Sequence, residues 1–177
     1  MGLHCIVRCD DLLKAVSAQQ NITGKKGSMA ILSNLLLETD DNHLICTGTD
    51  LEIGLKQIIA AEVIEAGKIT LPAKKLFELA RESGGNDIVL KEQDNAWVEI
   101  EAGPGHYRLA GMQADEFPQF PLYDEKAQIA VKSEIFTEII DKTYFSIAQD
   151  KESIFSLTAA LLQKYKEEEN SYIKMVT

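Results

Sequence analysis

KITLPAKKLFELARE, Lys68–Glu82, is the stretch on which the fold turns. Lys68–Leu71 reads as a short strand. Pro72 then opens a helix at an early position, where its missing N–H costs nothing. Leu76, Phe77, Leu79 and Ala80 recur at helical spacing and give that helix one apolar side. Ser83–Asn86 ends it through Gly84 and Gly85. Three strands are expected next, over Asp87–Lys91, Ala96–Glu101 and His106–Gly111, with turns at Gln93–Asn95 and Gly103–Gly105.

The residues before this stretch show the same order. Leu3–Arg8 reads as a strand. Asp10 stands where an N-cap would, Asp11 suits the first turn, and Leu12, Leu13 and Val16 carry a helix to about Gln20. A loop, Asn21–Ser28, leads to three strand-like runs: Ala30–Glu38, His43–Gly48 and Glu52–Ala60. Strand, helix and three strands thus occur twice in about 112 residues. A third copy starts near Gln128, with a strand at Ile129–Lys132 and a helix capped by Ser133 and Glu134 that carries Phe136, Ile139 and Ile140. CIVRCDDLLKAV (Cys5–Val16) lies over IAVKSEIFTEII (Ile129–Ile140) at an offset of 124, and ILSNLLLE (Ile31–Glu38) over SLTAALLQ (Ser156–Gln163) at 125. Each match is weak alone, but their shared spacing argues for a duplicated domain of about 125 residues. The connector DEFPQFPLYDEK, Asp115–Lys126, reads as extended, with Phe117 and Phe120 anchoring it to a domain face.

Composition excludes several classes. With 45% hydrophobic residues the chain is ordinarily globular. It has no apolar run of about 18 residues to cross a membrane, and its start lacks the pattern of a signal peptide. A cytoplasmic setting is the default. Cys5, Cys9 and Cys46 do not make a disulfide framework. Cys5 and Cys9 share strand parity with Leu3 and Val7, whereas His4 has the opposite parity, so buried structural thiols are expected rather than a metal site. His43 and His106 show no ligand spacing either. GKKGS, Gly24–Ser28, lacks the order of a phosphate-binding loop and precedes a strand. Asp50 and Glu52 sit at a strand entry, where Asp and Thr bond to their own backbone. Trp97, in a strand, reads as core. No catalytic constellation is found, and no cofactor is implied.

The net charge of −10 opposes nucleic-acid binding when taken as a sum. Its distribution says more. Lys14, Lys25, Lys26, Lys74, Lys75, Arg81, Lys132, Lys142 and Lys151, nine of the 18 basic residues, fall on helices or just after them. Helices lining one side of the molecule would make that side attractive to phosphate. Ordinary solvated helix faces are the alternative.

Particular residues add a resemblance. AILSNLLLE followed by LICTGTDLEIGL, within Ala30–Leu55, resembles the bacterial DNA polymerase sliding-clamp family, the beta subunit of the replicative polymerase. ITLPAKKLFELARE, Ile69–Glu82, is similar to the family's second helix, and ADEFPQFP, Ala114–Pro121, to the segment closing its first domain. The match is most specific over residues 30–121 and looser after Asp124.

The resemblance implies an α+β DNA-clamp fold: repeated β-α-β-β-β units, antiparallel sheets outside and helices on one side. It implies a non-catalytic processivity factor, a homodimeric ring of three-domain subunits around duplex DNA. Partners would be DNA bound without sequence preference, and polymerase subunits, the clamp loader and repair proteins that dock by linear motifs. Residues 1–124 would be the first domain and 125–177 the opening half of the second. The third would be absent, so the chain would be an N-terminal fragment. Lys26, Lys74, Arg81 and Lys151 match DNA-contacting positions. The loop around Lys26 departs from the family, with lysine for the usual arginine and Ala30 near the usual proline. Leu157 and Thr177 match the partner-peptide groove. Leu76, Phe77, Tyr107 and Leu109 match the first domain's side of the subunit interface, with ordinary core as the other reading of these four. A clamp-fold adaptor that binds no DNA competes with the main reading, and would gain if the helix lysines were paired with acids. A small-molecule enzyme on the same scaffold is the third reading.

Overall fold

The computed structural model describes residues 2–23, 29–120, 130–148, 158–167 and 170–177. It divides into two compact parts, Met1–Pro121 and Leu122–Thr177.

The N-terminal part runs β1 (His4–Arg8), α1 (Cys9–Gln19), β2 (Asn34–Asp40), β3 (His43–Thr49), β4 (Gly54–Glu65), β5 (Lys68–Pro72), α2 (Ala73–Glu82), β6 (Asp87–Glu92), β7 (Trp97–Ala102), β8 (Gly105–Ala110) and β9 (Met112–Gln113). The strands form one antiparallel sheet in the order β8-β7-β6-β1-β4-β3-β2-β5-β9. The doubled strand–helix–three-strand order is therefore real, and the two repeats are interlocked. Each lends its first strand to the other: β1 pairs with β6, and β5 pairs with β2. The long β4 joins the halves, meeting β3 along Gly54–Ala60 and β1 along Ala61–Glu65.

One core lies between the sheet and the two helices. Leu3, Cys5 and Val7 of the first strand region, Leu35 and Leu37 of β2, Leu44 and Cys46 of β3 and Val98, Ile100 and Ala102 of β7 meet Leu12 and Val16 of α1 and Leu76 and Ala80 of α2. Period-2 burial in β1, β6 and β7 and 3.6-period burial in the helices put both apolar sets on one side, while β3 and β5 are buried along continuous runs. Fully burying a leucine contributes about 1.5–3 kcal/mol. Burial also pushes the Cys5 and Cys46 thiols up to about 12, so neither is a nucleophile near neutral pH.

Several elements differ from the sequence reading. Helix α1 starts at Cys9, with Arg8 rather than Asp10 in the N-cap position and no side-chain cap. The Cys9 N–H donates to the Asn86 carbonyl at 2.8 Å, so the backbone of the β6 approach satisfies a group that a cap would otherwise serve. Ala30–Ser33 is a 3-10 turn, closed by the Ser33 hydroxyl donating to the Ala30 carbonyl at 2.6 Å, and β2 starts only at Asn34. Trp97 is 40% exposed. Val98, Ile100 and Ala102 take the inward parity of β7, and Trp97 points out, where the Arg108 guanidinium lies over its ring at 5.2 Å.

Phe117 and Phe120 anchor the connector as expected. Phe117 packs with Ile31, Leu32, Leu36 and Met112 on the sheet's other face. A Cβ at Gly54 would stand 2.6 Å from Phe120 Cε2, so the ring needs a glycine beneath it.

The C-terminal part has α3 (Ser133–Thr143) and the antiparallel pair β10 (Leu161–Glu167) and β11 (Asn170–Val176). Ser133 is the first helical residue and Lys132 the N-cap. The described residues of the expected strand Ile129–Lys132 are not in a strand, and Ile129 lies outside the described residues. Tyr165 stacks on Tyr172 with centroids 5.4 Å apart. No residue of α3 is buried.

Candidate nucleic-acid interface and subunit surface

Helix α2 is built from strong helix formers, and Ala73, Leu76 and Ala80 supply its buried side. That register leaves Lys74, Lys75, Glu78, Arg81 and Glu82 to the outside. The cations there differ. Lys75 Nζ donates to Glu78 Oε2 at 3.1 Å. Arg81 is bound to Glu82 Oε1 at 3.0 Å, and its guanidinium carbon sits 5.5 Å from the Phe77 ring centroid. Lys74 is exposed and makes no ion pair among the described residues. Lys14, on the outer side of α1, is likewise exposed and unpaired among them. Helices α1 and α2 pack against each other, so the two open ammonium groups belong to one helix layer. On α3, Lys142 is held by Glu138. The adaptor reading thus meets a mixed pattern: among the described residues Lys14, Lys74 and Lys132 are exposed without an ion pair, and Lys75, Arg81 and Lys142 are paired. Lys14 is the open cation on the α1–α2 layer that sequence reasoning did not single out. Its signal was its helical register, four residues before the exposed Ala18 and opposite Leu12 and Val16.

Lys26 and Lys151 lie outside the described residues, as does Leu157. Thr177 is exposed, and its hydroxyl meets that of Ser146.

The second surface is the edge of the sheet. Among the described residues β8 has β7 as its one neighbour, so alternate N–H and C=O groups along its outer side have no ladder partner there. Tyr107 stands opposite Ile100 and Leu109 opposite Val98, which puts both on the helix-side face. Leu109 and Phe77 are half-buried against the core, and Tyr107 is 44% exposed. Leu76 differs from its three companions. It is fully buried, so it is core and offers nothing to a partner. On the opposite face, His106 stands 3.7 Å from Glu101, and Arg108 covers Trp97. Groups of three or more His, Cys, Asp or Glu side chains able to hold a metal ion are absent among the described residues. No helix there is long and apolar enough to cross a membrane.

Residues 3–121 match the family of the DNA polymerase III beta subunit, N-terminal domain. A beta sliding clamp of Chlamydia muridarum is 26% identical over 157 residues, covering 89% of this chain and 43% of that protein. One of Vibrio harveyi is 29% identical over 136 residues, covering 76% of this chain and 94% of that sequence. The crystal structure of the DNA polymerase sliding clamp from Caulobacter crescentus superposes with a TM-score of 0.84 at 26% identity, over 98% of this chain and 47% of that one. The chain therefore spans less than half the length of the Chlamydia relative and of the Caulobacter structure.

Proposed function

The chain belongs to the DNA polymerase III beta-subunit family, and on that premise we propose that it is part of a ring-shaped sliding clamp, a processivity factor that encircles duplex DNA and tethers the replicative polymerase. It acts without a reaction of its own, in the cytoplasm, as a homodimer when full length. Residues 1–124 are its first domain and 125–177 the opening part of its second. The observation that carries this reading is the family match across residues 3–121, the stretch that builds the nine-stranded sheet and both helices beside it.

The mechanism is topological. A closed ring leaves DNA only over an end, so its phosphate contacts can stay weak and blind to sequence, and weak contacts permit sliding. Lys74 on α2, with Lys26 and Lys151 in loops, faces the phosphates in this reading, while Arg81, the other α2 position that matches a DNA contact, is already held by Glu82. Lys14 joins them on the strength of its open ammonium. The acidic remainder repels DNA from the outer surface. Phe77, Tyr107 and Leu109 meet the neighbouring subunit, while Leu157 and Thr177 belong to the groove that takes linear motifs of polymerase subunits, clamp loader and repair proteins.

The test is retention on DNA of the complete gene product after loading. It should stay on nicked circular duplex and be lost once that duplex is linearised. Equal retention on the two forms would overturn the reading. Failure to bind either form while still capturing partner peptides would favour the adaptor, which the Lys75–Glu78 and Lys142–Glu138 pairs support.

A further inference from the structure

The two α2 cations that match DNA-contacting positions are not alike. Lys74 is an open ammonium. Arg81 is engaged twice: its Nε and a terminal nitrogen reach Glu82 Oε1 at 3.0 Å, and its guanidinium carbon lies 5.5 Å from the Phe77 centroid. A carboxylate in contact offsets part of the attraction that this group would offer a phosphate. The flat guanidinium suits an aromatic face in a way that an ammonium does not. Phe77 itself is half-buried against the main core, on a helix whose neighbouring residue Leu76 is fully buried. Its ring is thus fixed on one side by the core and covered on the other by Arg81.

We propose that Arg81 is a positioning residue of the subunit surface rather than a phosphate ligand, holding the Phe77 ring in the orientation that a second subunit meets. This rests on the reading of Phe77, Tyr107 and Leu109 as an interface. Glu82 engages the guanidinium beside the ring and lowers its attraction for DNA, and Lys74 carries the larger α2 share of that attraction.

The experiment uses the complete gene product, four single variants (Arg81→Gln, Arg81→Lys, Lys74→Gln and Phe77→Leu) and the Phe77→Leu, Arg81→Gln double variant. Dimer dissociation is measured by sedimentation, and affinity for a short duplex is measured across a salt series. Arg81→Gln should raise the dimer Kd by about two- to fivefold, the loss expected of one exposed cation–π contact. Its salt slope should match the parent. Arg81→Lys should recover little of the dimer affinity, because the charge is kept and the flat face is lost. Lys74→Gln should leave the dimer unchanged and make the salt slope shallower by about 0.9. In a Phe77→Leu background, Arg81→Gln should have no further effect on the dimer. A shallower slope for Arg81→Gln that Arg81→Lys restores would make Arg81 a phosphate ligand and overturn the proposal. So would a fall in melting temperature with no change in dimer Kd, since Arg81 would then be merely structural. If Phe77→Leu dimerises like the parent, the interface reading fails by itself, and that result is distinct from the other two.

Discussion

Lys68 Nζ stands 2.7 Å from Asp115 Oδ1, joining the start of β5 to the connector just before Phe117. The hydrogen bond from Lys68, and then its charge, hold the Asp115 carboxyl below the usual range; the same bond raises the Lys68 ammonium. Both side chains are mostly exposed, so salt screens the pair and its share of stability is small. Its sign is still fixed. A depressed carboxyl contributes above its unfolded pKa, about 3.9, and loses that contribution as pH falls through the folded value. A raised ammonium contributes below its unfolded pKa, about 10.4, and loses that contribution as pH rises through the folded value. The pair therefore acts between about pH 4 and pH 10. Asp115→Asn should unfold at a lower urea concentration than the parent at pH 7 and low salt, and the gap should narrow at pH 3. An equal gap at both values would assign the effect to the side chain's shape instead of its charge. Elsewhere the residue scale is set by close approach. At Gly48 an added Cβ would run into the Gln19 carboxamide oxygen. Gln19 is itself fully buried and donates to the Cys46 carbonyl at 3.0 Å, so it ties the end of α1 to β3.

Helix α2 separates a buried side from an open, charged one along ten residues. Leu76→Ala should cost about 2–5 kcal/mol, because it empties a fully enclosed site in the core. Lys74→Ala, two residues away, should change stability by no more than about 0.5 kcal/mol. Chemical denaturation of the two variants checks both, and a mild Leu76→Ala would mean that the site collapses around the missing atoms. The sequence placed this helix well, because proline at its start, paired glycines after its end and a clear apolar stripe all agree. It did not separate Leu76 from Phe77, since neighbouring apolar residues on a helix edge have the same signal whether they face the core or its rim. Trp97 was misread for a related reason. A large aromatic invites a core assignment, but its parity against Val98 and Ile100 points it outward. The 3-10 turn at Ala30–Ser33 hid inside an apolar run that reads as strand, where composition alone carries no period. The start of α1 was misplaced because its first N–H is satisfied by Asn86, 77 positions further along the chain, rather than by a local side chain.

At the scale of the whole molecule, the doubled order of elements was legible while the exchange of first strands between repeats was not. Pairing of β1 with β6 and β5 with β2 is non-local, and an alternating strand carries no label for its neighbour. The exchange has a consequence for stability. Neither repeat of the N-terminal part can close its share of the sheet alone, so the two must fold as one cooperative body. The C-terminal part is different. No α3 residue is buried, and β10 is exposed along its length, so among the described residues it has little apolar burial to offset the cost of ordering its chain. Both buried clusters are composed wholly of residues from the N-terminal part. Residues 1–121 expressed alone should therefore unfold in a single transition, at a temperature within a few degrees of the whole chain's main transition, by circular dichroism and calorimetry. In the whole chain, amide exchange should be slow in β1, β3, β6 and β7 and orders of magnitude faster in β10 and β11. A shortened chain that is unfolded, or equal protection in the two parts, would mean that the C-terminal residues supply cohesion through contacts other than buried apolar surface.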